Sequence, residues 1–160
     1  MSDPDVTELS GAGAVVIPQD AGERLDVRGS ALLFKAAADT TGGAFSLHER
    51  LVRAGSRRPP AHTHPARVEA FWVLEGEAEF ELDGKRTVVG AGAFVLVPGG
   101  VAHTFGAGEC DDARLLVLHA PALDDYFREL AELWSAPTPP DVADERSLMR
   151  RFGMQPVTGD

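Results

Sequence analysis

A mainly β fold is predicted by three observations. The 160 residues combine a 44% hydrophobic fraction with 17 glycines and 11 prolines, a mixture that suits short strands joined by many turns better than a helical bundle. Glu77, Glu79 and Glu81 alternate with Ala78, Phe80 and Leu82, the period-two pattern of a half-buried strand. Asp83-Gly84 follows as a hairpin signal, with residues 86–89 as the return strand. The length fits one domain able to bury its own core.

Taken in order, residues 1–13 carry several polar side chains and two glycines and read as a loose arm able to pair with a partner subunit. Residues 14–17 and 31–35 are short apolar stretches flanked by Gly, Pro and Asp, hence strands, and residues 39–43 form a turn. A longer strand spans 44–53. After the 77–89 hairpin, residues 93–97 are apolar throughout, as expected for a strand covered on both sides. Pro98-Gly99-Gly100 stops it before strands at 101–105 and 114–119. Beyond Pro121 the period changes: Leu123, Phe127, Leu130 and Trp134 share a helical face, with Asp124 and Asp125 in the first turn where the dipole favours acids. A second short helix around 144–152 ends at Gly153. The division is therefore arm 1–13, barrel 14–120 and helical tail 121–160.

A formal charge of −10 supplies no basic stripe, which disfavours nucleic-acid binding and attraction to anionic lipid. No run approaches a membrane span, and the acidic first residues lack the features of a signal peptide. The expected location is the cytoplasm and the expected partners are small molecules. The single Cys110 has no second cysteine for a disulfide or a thiolate metal site and is expected to be inert.

Chemistry concentrates in two segments. His62 and His64 are two apart, so on a strand they share a face about 6–7 Å apart along the chain. Glu69 lies an odd five residues beyond His64, so residues 65–67 must turn or break the strand. Beyond that break, Glu69, Phe71 and Val73 share a face. His103 arrives on a later strand after a glycine-shaped turn, completing three imidazoles and one carboxylate, a set suited to a divalent transition metal.

These segments resemble the two motifs of the cupin superfamily: glycine, H-x-H, three or four residues, Glu, six residues and Gly, then Gly, five residues, P-x-G, two residues and His. Here four residues precede Glu69, six separate it from Gly76, and Gly92, Pro98, Gly100 and His103 follow. Six residues rather than the usual five separate Gly55 from His62, and Ala107 stands where asparagine often closes the second motif. The motifs cover about a third of the chain; the rest is similar, more weakly, to small single-domain, quercetin-dioxygenase-like cupins. The resemblance implies a single double-stranded β-helix (jelly-roll) barrel, too short for a bicupin. It also implies one metal ion, Fe, Mn, Ni, Co, Cu or Zn, held by His62, His64, Glu69 and His103, and a homodimer.

Around that centre, Phe71, Val73, Phe94 and Phe105 are candidate pocket walls, although strand aromatics are ordinarily core. His48 and Glu49 must face opposite sides, so at most one points inward. His119 is expected at the barrel rim or an interface, with a contact to the site as the sharper alternative. Trp72 faces away from Glu69, and Arg57 and Arg58 are expected to be solvated loop charges. The leading functional expectation is a dioxygenase acting on an aromatic, polyphenolic or enolisable substrate, with Glu69 as ligand and general base. Non-redox isomerase, cyclase or lyase chemistry is the alternative, and a ligand-binding module without turnover the third.

Overall fold

The chain runs β1 (Thr7–Leu9), β2 (Ala14–Val16), β3 (Glu23–Val27), β4 (Ser30–Ala36), α1 (Ala38–Thr41), β5 (Ser46–Val52), β6 (His62–Thr63), β7 (Val68–Glu75) and β8 (Glu77–Leu82). It continues through β9 (Lys85–Gly90), β10 (Phe94–Val97), β11 (His103–Ala107), β12 (Ala113–Ala120), α2 (Asp124–Trp134), α3 (Val142–Arg151) and β13 (Gln155–Pro156). The structure is a computed structural model that describes residues 7–9 and 13–158. Most of the 1–13 arm lies outside the described residues. Within it, β1 pairs antiparallel with β2.

Two antiparallel sheets form the barrel: six strands in the order β10-β7-β12-β5-β4-β3, and five in the order β13-β6-β11-β8-β9. Their inner faces come from strict alternation. Phe71 and Val73 of β7, Ala78 and Phe80 of β8, Phe105 of β11, and Leu115 and Val117 of β12 pack into one core. Phe71 stands 4.9 Å from both Phe80 and Phe105, centroid to centroid. Each such side chain contributes about 1.5–3 kcal/mol by leaving water, so this cluster is what closes one end of the barrel.

At the other end the helices supply the lid. Leu123, Tyr126, Phe127 and Leu130 from α2, Leu148 and Met149 from α3, and Met154 pack on Val27, Leu32 and Phe34 of the β3–β4 hairpin. Asp141 caps α3 by accepting from the Asp144 N–H at 2.8 Å, and β13 then pairs with β6, beside His62. The C-terminal segment is thus wired into the sheet that carries the first histidines.

Several local expectations change. The 39–43 turn is the one-turn helix α1 followed by Gly42 and Gly43 at positive φ. The strand β3, whose sequence is ERLDV, joins β4 through Arg28-Gly29, both at positive φ as a two-residue hairpin requires. The apolar run 93–97 is an edge strand: Val95 and Val97 point in, while Phe94 and Leu96 are more than half exposed. Phe94 pairs with Trp72 across the ladder, so it belongs to the outer face and not to the pocket wall. Cys110 is exposed. Gly76 is required twice over, since its φ is +73° and a Cβ there would stand 2.4 Å from the Asp112 carbonyl oxygen. No helix is long and apolar enough to cross a membrane among the described residues.

Candidate metal centre

His62 and Thr63 form the two-residue strand β6, opposite His103 of β11 in register. The chain leaves that strand at His64, turns through residues 65–67, and re-enters at Val68 in the other sheet. That is the break which the odd His64–Glu69 spacing demands. His62, His64, Glu69 and His103 are all buried, and each offers one ligand atom within 4.8 Å of all the others.

The contacts inside the cluster test whether an ion fits. His62 Nε2 lies 3.1 Å from His64 Nε2, and Glu69 Oε2 lies 3.0 Å from His64 Nε2 and 2.7 Å from His103 Nε2. Donors at about 2.1 Å from a common ion and at right angles to one another are separated by about 3.0 Å, so these separations are those of adjacent ligands. Two of the rings are also locked from behind. His62 Nδ1 is 2.7 Å from the Pro60 carbonyl and His103 Nδ1 is 3.0 Å from that of Val101. An Nδ1–H donated to a carbonyl leaves Nε2 as a lone pair aimed at the centre. The residues present therefore fit a divalent ion.

Electrostatics prepare the same state. Burial, reinforced by His103, lowers His62 to about 3, so it stays neutral across the working range. Burial also lowers His64. Glu69 is held well below the usual carboxylate range despite its burial, by the His119 charge and by hydrogen bonds from His103, His119 and His64. Burial depresses His103, yet its contact with Glu69 leaves it raised overall above 6.5. His103 is accordingly the ring at which protons compete with a metal. As pH falls, Zn²⁺ affinity should begin to drop while the pH is still above 6.5 and then decline roughly tenfold per unit. Calorimetric Zn²⁺ titrations between about pH 8 and pH 5.5 check this; a flat profile would contradict it.

His119 emerges as part of the centre and not as a rim residue. It lies in register with Glu69 on the neighbouring strand, and its Nε2 stands 3.0 Å from Glu69 Oε1. One carboxylate oxygen is thus engaged by the ligand set and the other by His119, which orients the group. His48 is inward and buried, as the alternation allowed, but sits behind His119 with ring centroids 6.2 Å apart. It packs on Phe34 and Phe127, and neither ring nitrogen has a partner. Phe71 and Val73 do share the inward face with Glu69, but each two-residue step carries them about 7 Å along the barrel axis, into the core rather than beside the ligands. Phe105 does border the cavity.

That cavity lies where the barrel core meets the helical lid. His62, His64, Glu69 and His119 border it on the barrel side, and Leu123, Tyr126, Phe127, Met149 and Met154 on the lid side. Its volume is about 20 Å³, room for about one water. Two arginines also border it. Arg28, held at positive φ, donates to Glu145 Oε2 from Nε at 3.0 Å and from Nη2 at 2.5 Å, both side chains being buried. Arg50 is buried with its guanidinium carbon 5.1 Å from the Phe105 ring centre.

Arg28, Arg50, Tyr126 and Glu145 escaped the sequence reading. The alternation Ser46, His48, Arg50, Val52 on β5 was the available signal for Arg50; nothing local marks Glu145. Arg57 is likewise no free loop charge. It pairs with Glu145, donates to the Pro140 carbonyl at 2.8 Å and lies 4.5 Å over Trp134. Arg58 pairs with Glu79 at 2.8 Å, and Arg86 pairs with the same carboxylate, so Glu79 is not simply solvated.

Comparison with known proteins agrees with this architecture. The family model described as "Cupin domain" matches residues 49–119. An RmlC-like cupin from Shewanella frigidimarina is 20% identical with a TM-score of 0.61, over 76% of this chain and 98% of that one. The polyketide cyclase RemF from Streptomyces resistomycificus is 21% identical at TM-score 0.57, over 66% and 78%. Ectoine synthase from P. lautus is 18% identical at TM-score 0.56, over 89% and 86%. No curated protein sequence matches the chain. The two-sheet topology and the match over residues 49–119 together identify the fold as a single cupin β-barrel with a helical tail.

Proposed function

We propose that the protein is a metal-dependent enzyme for a compact, oxygen-bearing organic substrate, working by non-redox isomerisation, cyclisation or elimination. The observation that carries this reading is the convergence of three imidazole nitrogens and one carboxylate, of which His62, His64 and Glu69 border a cavity of about 20 Å³. A divalent ion, when bound, supplies Lewis acidity toward a carbonyl or hydroxyl oxygen. The chain supplies the remainder. Glu69, ionised and oriented by His119, is the proton acceptor beside the reacting carbon. Leu123, Phe127 and Met149 exclude water from it. So small a cavity favours a compact substrate over a polyphenol. The fold also carries a cyclase and a synthase among the similar proteins named above, although fold alone does not select an activity.

One observation favours the dioxygenase as a second reading: the wall opposite the ligands is apolar and has room for a diatomic molecule. The two readings separate by experiment. Zn²⁺-loaded protein in D2O, incubated with small oxo acids and diketones, should exchange the C–H next to the carbonyl, followed by NMR, and Glu69→Gln should abolish the exchange. Absence of exchange together with oxygen uptake by the Fe²⁺-loaded protein would replace the first reading by the second.

A further inference from the structure

Among the described charged side chains that border the cavity, Arg50 is the one with no ion-pair partner. Three charged side chains border the cavity beyond the imidazoles, Arg28, Arg50 and Glu69, and Glu145 stands behind Arg28. Glu145 is taken by Arg28 inside and Arg57 at the rim. Glu69 is taken by His64, His103 and His119. Arg50 is 4% exposed, its Nε has no hydrogen-bond partner, and no described carboxylate forms an ion pair with it. The Phe105 ring lies under it, and Glu69, Tyr126 and Glu145 favour its charge without forming an ion pair with it. A buried cation without an ion-pair partner is costly, and buried polar groups in folded proteins almost always have a partner.

Inward alternation on β5 fixes where the charge sits. Arg50 follows His48 by two residues and so faces the barrel interior, over Phe105, which itself follows His103 by two on β11. The guanidinium and the metal ligands therefore border one cavity from adjoining positions. Burial and the neighbouring Arg28 pull Arg50 down to about 9, which leaves it cationic at neutral pH. With a divalent ion only partly neutralised by Glu69, the cavity would carry net positive charge inside a protein of formal charge −10.

Building on the function proposed above, we infer that Arg50 receives the carboxylate of a small organic acid whose neighbouring carbonyl or hydroxyl oxygen faces the metal ligands. A planar guanidinium fork matches a carboxylate in shape as well as charge, which makes Arg50 the specificity-determining residue. A cavity with room for about one water admits an acid only where Met149 and Met154, unbranched side chains that repack readily, move aside, which favours acids of few carbons.

The test uses calorimetric titration of the full chain, metal-free and Zn²⁺-loaded, with pyruvate and with the neutral pyruvamide as probes. Pyruvate should bind more tightly than pyruvamide to both forms, and Arg50→Gln should weaken pyruvate binding by about ten- to a hundredfold while leaving pyruvamide unchanged. Arg50→Lys should recover part of the loss. Zn²⁺ affinity of Arg50→Gln should stay within a few-fold of wild type, so a failure here is separable from a failure of the metal centre. Because the variant removes an unpaired buried charge, its ligand-free melting temperature should equal or exceed that of wild type. Equal binding of pyruvate and pyruvamide, no pyruvate binding at millimolar concentration, or tighter binding of inorganic phosphate than of pyruvate would each overturn the inference. So would an Arg50→Gln protein that melts lower, since that identifies Arg50 as a structural cation.

Discussion

Glu145→Gln should destabilise the protein by about 3–5 kcal/mol, because it removes one partner of a buried ion pair and leaves the other stranded. Arg28 and Glu145 are 1% and 0% exposed at their side chains, so the lost charge is not made good by bulk solvent. Arg57, about a third exposed, adds only the smaller share expected of a rim pair. The pair links the β3–β4 hairpin to α3, so its loss loosens the lid and not the barrel. Denaturant unfolding followed by far-UV circular dichroism should show a lower midpoint at unchanged slope. The double substitution Arg28→Met with Glu145→Met should recover most of the stability, since an apolar pair of similar size needs no counter-charge. A Glu145→Gln protein as stable as wild type would show that the lid is held by its apolar contacts alone.

How far such features were legible in the sequence depends on whether the cause is local. Asp83-Gly84 announced its hairpin because that dipeptide accepts the positive φ of both turn positions, as found. The hairpin at Arg28-Gly29 uses the same backbone but an arginine held at φ 54°, and β3 before it offers only Leu25 and Val27 among three charged residues, so the pair passed unseen. The odd His64–Glu69 spacing was informative because a strand cannot put both on one face, which forced the turn at 65–67. Phe94 went the other way. Its inward or outward sense is set by the ladder that pairs Val97 with Glu69 and Phe94 with Trp72, a long-range register that no property of residues 93–97 encodes. Arg50 and Glu145 went unmarked for a related reason. Charged residues in short windows look solvated, and only tertiary closure by α2 and α3 takes them out of water.

The largest functional effect should come from the ligand set itself. Wild-type protein should bind one equivalent of Zn²⁺, and His103→Ala should weaken that binding by more than about a hundredfold, beyond the ten- to hundredfold typical of losing an outer partner. His103 holds the shortest contact to Glu69, 2.7 Å, and its ring is fixed from behind by the Val101 carbonyl; alanine deletes a ligand nitrogen and leaves the carboxylate to His64 and His119. His119→Gln should fall in the milder range, because its Nε2 engages the other oxygen of Glu69 and steers it without joining the cluster. Competition against a chromogenic chelator reads both affinities, and melting curves supply an independent measure. At metal concentrations about a thousandfold above Kd, wild type should gain about 4 kcal/mol over its metal-free form, and His103→Ala should gain little at the same concentration. Ordinary core histidines would behave oppositely, with metal-free stability falling on substitution and no metal-dependent shift in any variant. Graded losses of affinity, His103→Ala well beyond His119→Gln, therefore separate a built metal centre from packed imidazoles.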